Sequence, residues 1–194
     1  GSVTALRTGA AAVLAAETLG HRGAQSAAVI GAGVNGKATA RTFLARGQAV
    51  SLWDVDAGRA REAANELGAD VAPSLEDALA ADIVATVTPG HEVLFAEGSL
   101  RPGQHVSLMG ADGPGKAEMA TAEVTRAHVF CDDWEQASHG GELAHAVEAG
   151  VLHEDDVTQL GAVLAGTAAG RRDDEEITIF DSTGLAIQDL AIAL

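Results

Sequence analysis

With 194 residues, 28 acidic and 12 basic side chains, the chain carries a net charge of −16, a balance that repels phosphate backbones and anionic lipid surfaces and so excludes nucleic acid and membrane as partners. The length suffices to bury one real core, as a single domain with appended elements. No apolar run reaches membrane-spanning length, and residues 10–16, cut short by Glu17, read as part of an amphipathic helix rather than a signal segment.

Residues 4–19 form an alanine-rich pattern that predicts a helix stopped by Gly20. An apolar strand at 27–30 leads into Gly31-Ala32-Gly33-Val34-Asn35-Gly36, a helix to Arg46, and a second strand at 49–53 that ends in Asp54. A charged helix follows at 57–67, a short strand at 70–72 and a short helix at 75–81. Residues 82–88 read as a strand ended by Pro89-Gly90, and 104–109 as another. After Asp112-Gly113-Pro114-Gly115-Lys116 a helix is expected to run to Ala127, followed by a strand at 128–131. A broken helix over 134–150, a helix over 155–164, a charged surface loop at 171–176, a strand at 177–180 and a terminal helix from Ser182 complete the chain. Alternation of this kind predicts an α/β fold: a doubly wound, Rossmann-type, mainly parallel sheet with helices on both faces. The single cysteine, Cys131, lies in the 128–131 strand, where a packed thiol is expected; one cysteine makes no internal disulfide and suits a reducing cytoplasm.

Strand, glycine turn, helix, strand and acid in succession are the parts of a dinucleotide site. Gly31 permits the tight turn, Gly33 lets backbone amides approach a pyrophosphate, and Gly36 lets the helix pack closely on the strand. The helix start then directs the unpaired N–H groups of residues such as Val34 and Asn35 at the phosphates. Asp54 accepts hydrogen bonds from a ribose 2′-hydroxyl and repels a 2′-phosphate, which favours NAD over NADP, with Arg59 and Arg61 placed to soften that repulsion. Ligands in such a sheet bind beyond the carboxyl ends of the strands. Three further turns fall there: 86–89 with Thr86 and Thr88, 109–116 with Met109, Gly110, Ala111, Asp112 and Lys116, and 181–184 with Ser182 and Thr183. Each is also a composition from which plain turns are made. Lys116 is one of only two lysines, and the absence of tyrosine removes a Tyr–Lys acid pair. His139, Glu142 and His145 are spaced three apart, but Gly140-Gly141 interrupts the helix, and no metal site is expected.

Arg7-Thr8-Gly9-Ala10, the glycine turn, Gly110-Ala111-Asp112-Gly113-Pro114-Gly115-Lys116, Gly140-Gly141-Glu142-Leu143, Phe180-Asp181-Ser182-Thr183-Gly184 and Ala186-Ile187-Gln188-Asp189-Leu190-Ala191 occur in this order. Together they resemble the ornithine cyclodeaminase/mu-crystallin family over nearly the whole chain. Asn35 stands where that family more often has glutamine. The resemblance implies hydride transfer between the alpha carbon of an amino acid, or a cyclic imine, and a nicotinamide. It implies cofactor contacts at Thr8, Gly31, Gly33, Val34, Asn35, Gly36, Asp54, Thr86, Thr88, Met109, Gly110, Ala111, Lys116 and Ser182, and substrate contacts at Arg7 and Thr183.

Such a reaction needs a carboxylate to accept the proton of the substrate amine, and Asp112 is the candidate. A helix N-cap is its alternative role, as a solvated helix start is for Lys116 and a surface position for Arg7. The resemblance also implies that an N-terminal substrate and dimerisation domain is missing, and the Gly1-Ser2 start fits a shortened chain. Residues 1–20 are then the helix connecting to that domain, 21–181 the dinucleotide-binding domain and 182–194 the start of a return helix. The whole enzyme is expected to be a homodimer. Alternatives within the family are an alanine-type dehydrogenase or ketimine reductase and a noncatalytic, crystallin-like nucleotide-binding protein.

Overall fold

The computed structural model describes residues 2–89, 92–110 and 117–193. The chain begins with α1 (Ser2–Leu19), β1 (Ser26–Ile30), α2 (Val34–Ala45), β2 (Ala49–Trp53), α3 (Ala57–Leu67), β3 (Asp70–Val71) and α4 (Leu75–Leu79). It continues with β4 (Ile83–Thr86), β5 (His105–Leu108), α5 (Thr121–Val124), β6 (His128–Cys131), α6 (Trp134–Gly140) and α7 (Ala144–Glu148). A 3₁₀ turn at Glu154–Asp156 precedes β7 (Val157–Gln159), α8 (Leu160–Leu164), β8 (Thr178–Asp181) and α9 (Ala186–Ala193). The strands form one parallel sheet in the order β3-β2-β1-β4-β5-β8-β6-β7.

Strand side chains alternate between two cores, one on each face of the sheet, as a period of two residues dictates. In β1, Ala27 and Val29 join Leu19, Phe43, Leu52, Phe130 and Phe180 beneath α1 and α2. Ala28 and Ile30 point the other way, to Val106, Leu108, Phe95, Leu143 and Ile179. With both faces covered, the strands read as nearly continuous apolar runs. Polar side chains mark the helix starts: Asp56 accepts from the N–H groups of Gly58 and Arg59, Ser74 from Asp77, and Asp133 from Gln136.

Three local expectations are corrected by long-range contacts. The segment 155–164 is not one helix, because Val157 and Thr158 pair with Val129 and Phe130 as edge strand β7. Only α5 is helical in the described part of 117–127. Upstream of it the N–H groups of Glu118 and Met119 both donate to the Glu142 carboxylate, and Met119 bridges to Phe95. Arg171 is no member of a solvated loop. Its guanidinium donates to the carbonyl oxygens of Leu19, Gly103, Gln104 and Glu176 and to Thr178 Oγ1, tying the end of α1 to β5 and β8. Beside it His105 is fully buried, each ring nitrogen 2.9 Å from a hydroxyl, that of Thr178 or of Ser107.

Candidate functional site

The sheet reverses its direction of growth between β1 and β4, and the chemistry-bearing turns gather at the strand ends around that point. Gly31 has φ +101°, a conformation L side chains rarely adopt, and its N–H donates to Trp53 O at 2.8 Å. A Cβ on Gly36 would lie 1.7 Å from Gly31 O, so the first turn of α2 can approach β1 only with glycine there. At Gly33 a Cβ would meet nothing within 4 Å. Gly33 is the N-cap of α2 without a side-chain cap, and the first intrahelical N–H is that of Lys37, bonded to Gly33 O at 2.9 Å. The amides at the start of α2 therefore face open space, the arrangement that accepts a phosphate.

Asp54, just past β2, is almost fully buried and braces this turn. Its Oδ2 accepts the N–H of Ala32 at 2.8 Å, and its Oδ1 accepts that of Asp56 at 2.9 Å. Arg59 Nη1 lies 3.5 Å from Oδ1. Gly31, Gly33, Asp54, Val55, Arg59 and Thr88 line a cleft of about 550 Å³, a volume typical of cofactor sites. Val34 and Asn35 follow Gly33 on the first turn of α2.

A second tier of buried acids lies beneath the other strand ends. Thr86 is fully buried; its hydroxyl donates to Glu118 Oε2 at 2.6 Å, and its carbonyl accepts the N–H of Met109 at 2.9 Å. Thr88 Oγ1 donates to the other oxygen of Glu118. Asp181, fully buried at the end of β8, accepts the N–H of Leu143, and a Cβ on Gly141 would come 2.4 Å from its Oδ2. Asp132 at the end of β6 shapes the following turn. It accepts from Ser182 Oγ at 3.1 Å, Thr183 Oγ1 at 2.9 Å, Thr183 N at 3.2 Å and Gly184 N at 2.8 Å. Arg7 of α1 reaches this turn: a Cβ on Gly184 would sit 2.2 Å from its Nη1. Arg7 Nε pairs with Asp189 at 3.0 Å, and Nη1 donates to Gln188 at 3.3 Å.

The ornithine cyclodeaminase/mu-crystallin family matches residues 1–194. The chain belongs to this family. An alanine dehydrogenase of Archaeoglobus fulgidus is 39% identical, with 98% of this chain and 61% of that protein covered. An iminosuccinate reductase of Paracoccus denitrificans is 37% identical over 98% of this chain and 62% of its own, and its crystal structure in complex with NAD+ superimposes with a TM-score of 0.88, covering 98% of this chain and 61% of that one. An ornithine cyclodeaminase of Agrobacterium tumefaciens is 32% identical over 97% of this chain and 54% of its length. The chain thus spans about three-fifths of the length of the first two of these relatives.

Of the residues that the family resemblance implicates, Gly31, Gly33, Asp54 and Thr88 share the cleft. Gly36 closes the turn behind it. Thr8 is buried within α1. Met109 and Gly110 follow β5; Ser182 and Thr183 follow β8 on Asp132, and Arg7 packs against the adjoining Gly184. Ala111, Asp112 and Lys116 lie outside the described residues. Sequence reasoning missed Glu118, Glu142, Asp132 and Asp181 as site-building groups. Asp132 and Asp181 carry the signal that exposed Asp54, an acid closing an apolar strand.

Glu142 turns its Oε1 onto the N–H groups of Glu118 and Met119, and His139 Nδ1 sits beside Glu135 O and Ser138 Oγ, so these two members of the triplet spaced at three are engaged in hydrogen bonds. Among the described residues no three metal-ligating side chains cluster. Burial, with Asp132, Asp181 and Asp133 nearby, pushes the Cys131 thiol up to about 12, which makes it inert at neutral pH.

Proposed function

We propose that this chain is the NAD-binding part of an amino-acid cyclodeaminase or imine-forming amino-acid dehydrogenase. The observation that carries the reading is the cleft at the β1/β4 reversal. There Gly33 leaves the start of α2 open, and Asp54, which braces the same turn, lines the cleft beside it. These residues fit a dinucleotide: the α2 amides take the pyrophosphate and Asp54 a ribose hydroxyl. When bound, NAD supplies the hydride acceptor, and in a cyclodeaminase the hydride donor of the return step, at the alpha carbon.

The chain's own groups would hold the substrate against that cleft. Arg7 is already oriented by Asp189 and Gln188 through its Nε and Nη1, which leaves Nη2 to bind a substrate carboxylate. Ser182 and Thr183 direct their hydroxyl protons to Asp132, so each offers oxygen lone pairs, suited to a donor such as an amine or a ribose hydroxyl. Asp112 accepts the proton of the substrate amine and faces the positive charge that develops on nitrogen. Lys116 is assigned to balance charge in that step or to orient the cofactor.

The uncovered two-fifths of the relatives' length supports a further part, for substrate binding and dimerisation, beyond residues 1–20 and 182–194; an archaeal alanine dehydrogenase dimer with bound NAD, 38% identical, supports a homodimer for the whole enzyme. A second reading, an alanine-type dehydrogenase or imine reductase without ring closure, is supported by the higher identity to the alanine dehydrogenase and the iminosuccinate reductase than to the ornithine cyclodeaminase. NAD titrated into the purified chain tests the cofactor reading, and absence of saturable binding would end it. The whole protein assayed with ornithine, alanine and imine substrates separates the two chemistries: proline and ammonia from ornithine mark cyclodeamination, pyruvate from alanine a dehydrogenase.

A further inference from the structure

We propose that Glu118 is a positioning residue that sets the shape and polarity of the β4-side wall of the cleft without touching the ligand; the inference rests on the reading of that cleft as an NAD site. Glu118 is fully buried and does not line the cleft. Its two carboxylate oxygens accept from two hydroxyls, Oε2 from Thr86 and Oε1 from Thr88. Thr86 and Thr88 stand two residues apart where β4 ends, the spacing that puts both side chains on one face of an extended chain. The main chain of Glu118 is equally engaged. Its carbonyl accepts the N–H of Leu94 at 2.7 Å and of Phe95 at 2.9 Å, and its N–H donates to Glu142 Oε1 at 2.5 Å.

One residue therefore joins the segment leaving β4 to the segment 94–95. These two stretches supply Val87, Thr88, Pro89 and Leu94 to the cleft. Charge-assisted hydrogen bonds from hydroxyl to carboxylate are short and strong, so Glu118 holds both hydroxyls in one donating direction. A threonine hydroxyl has a single proton. With that proton directed at Glu118, the Thr88 hydroxyl can act elsewhere only as an acceptor. This wall then accepts from a ribose hydroxyl or a carboxamide N–H and disfavours an anion. The phosphates are left to the α2 amides, so the two parts of the cleft orient a dinucleotide by opposite hydrogen-bonding polarity.

The test is calorimetric titration of NAD into the chain and into its Glu118→Gln, Thr88→Val and doubly substituted forms. Glu118→Gln keeps the size of the side chain but turns one acceptor into a donor. It should weaken NAD binding roughly five- to twentyfold in the wild-type background and less than about twofold when Thr88 is already valine. A Glu118→Gln protein that binds NAD within twofold of wild type, or that loses the same factor in both backgrounds, would overturn the proposal, since a purely structural glutamate changes melting temperature without this coupling. Should Glu118→Gln fail to fold, Thr86→Val removes one carboxylate donor and leaves the acid in place; affinity should fall at least threefold, and unchanged affinity overturns the proposal equally. A wild-type chain that binds no NAD overturns the nucleotide reading together with this one. Normal wild-type binding with an indifferent Glu118 overturns this one alone.

Discussion

Gly36 and Gly31 touch across the turn between β1 and α2 so closely that a Cβ on Gly36 would lie 1.7 Å from the Gly31 carbonyl oxygen. Gly33, between them, has φ −74° and nothing within 4 Å of a Cβ, so its conformation and surroundings both accept a side chain. The two glycines consequently separate folding from binding.

Gly36→Ala should cost about 3 kcal/mol or more of stability, because the clash is with main chain that cannot move aside. Gly33→Ala should change stability by less than about 1 kcal/mol yet weaken NAD binding about tenfold or more by occupying the approach of the pyrophosphate. Thermal melts and NAD titrations of the two variants check this; full NAD affinity in Gly33→Ala would place the phosphates elsewhere.

Asp54 should make NAD bind more tightly than NADP, since a carboxylate lining the cleft repels a 2′-phosphate. Asp54→Asn retains one acceptor oxygen to support the turn at Ala32 and removes the charge. The preference should narrow by about tenfold, the equivalent of ~1.4 kcal/mol, with Arg59 released from Asp54, though still beside Asp56, to attract the extra phosphate. Competitive titration of the two cofactors measures the ratio, and tighter NADP binding by the wild-type chain would refute the assignment.

Burial, reinforced by the Arg171 charge, pushes the His105 imidazole down to about 3, and burial also pushes His128 down. A histidine with a lower value folded than its ordinary ~6.5 binds its proton more readily in the unfolded chain. Stability therefore falls as pH drops from about 6.5 towards 3, with a slope approaching about 1.4 kcal/mol per pH unit for His105 alone. Urea midpoints at about pH 7.5, 6 and 5 should show this loss, and His105→Gln should flatten it. An unchanged slope in that variant would assign the acid sensitivity to other groups.

Arg171 donates to five carbonyl oxygens and a hydroxyl from three separate parts of the chain. Arg171→Met should cost about 3 kcal/mol, because it leaves partly buried carbonyls without a donor. Arg171→Lys should recover less than half, since a single ammonium cannot reproduce the planar fork. Chemical denaturation of both variants decides whether the clamp contributes as its geometry requires.

In the whole protein, Asp112→Asn should lower turnover roughly a hundredfold to ten-thousandfold while NAD affinity changes little, because asparagine keeps the size but not the proton acceptor. Residues 1–194 by themselves should turn over no amino acid, since one substrate arginine cannot hold the alpha carbon in reactive orientation. Steady-state rates check both, and near-normal turnover in Asp112→Asn would return that residue to a helix cap.

The sequence by itself determined the parallel sheet, because nearly continuous apolar strands separated by helical stretches have few other ways to bury both faces. It also determined the nucleotide turn: the backbone demands at Gly31 and Gly36 are local, and Asp54 declares itself by closing a strand. The tertiary structure alone decided the rest. Val157 and Leu160 fit a helical spacing, yet pairing with β6 makes the first a strand residue. Arg171 sits in a run of charges that looks solvated until the end of α1, 152 residues away, arrives beneath it. Glu118 meets Thr86 across 32 positions, and Asp132 meets Ser182 across 50. Periodicity and turn chemistry are written over a few residues and survive in any surroundings. Which buried acid meets which hydroxyl depends on strand order and on where each strand ends, and these are settled only when the whole sheet assembles.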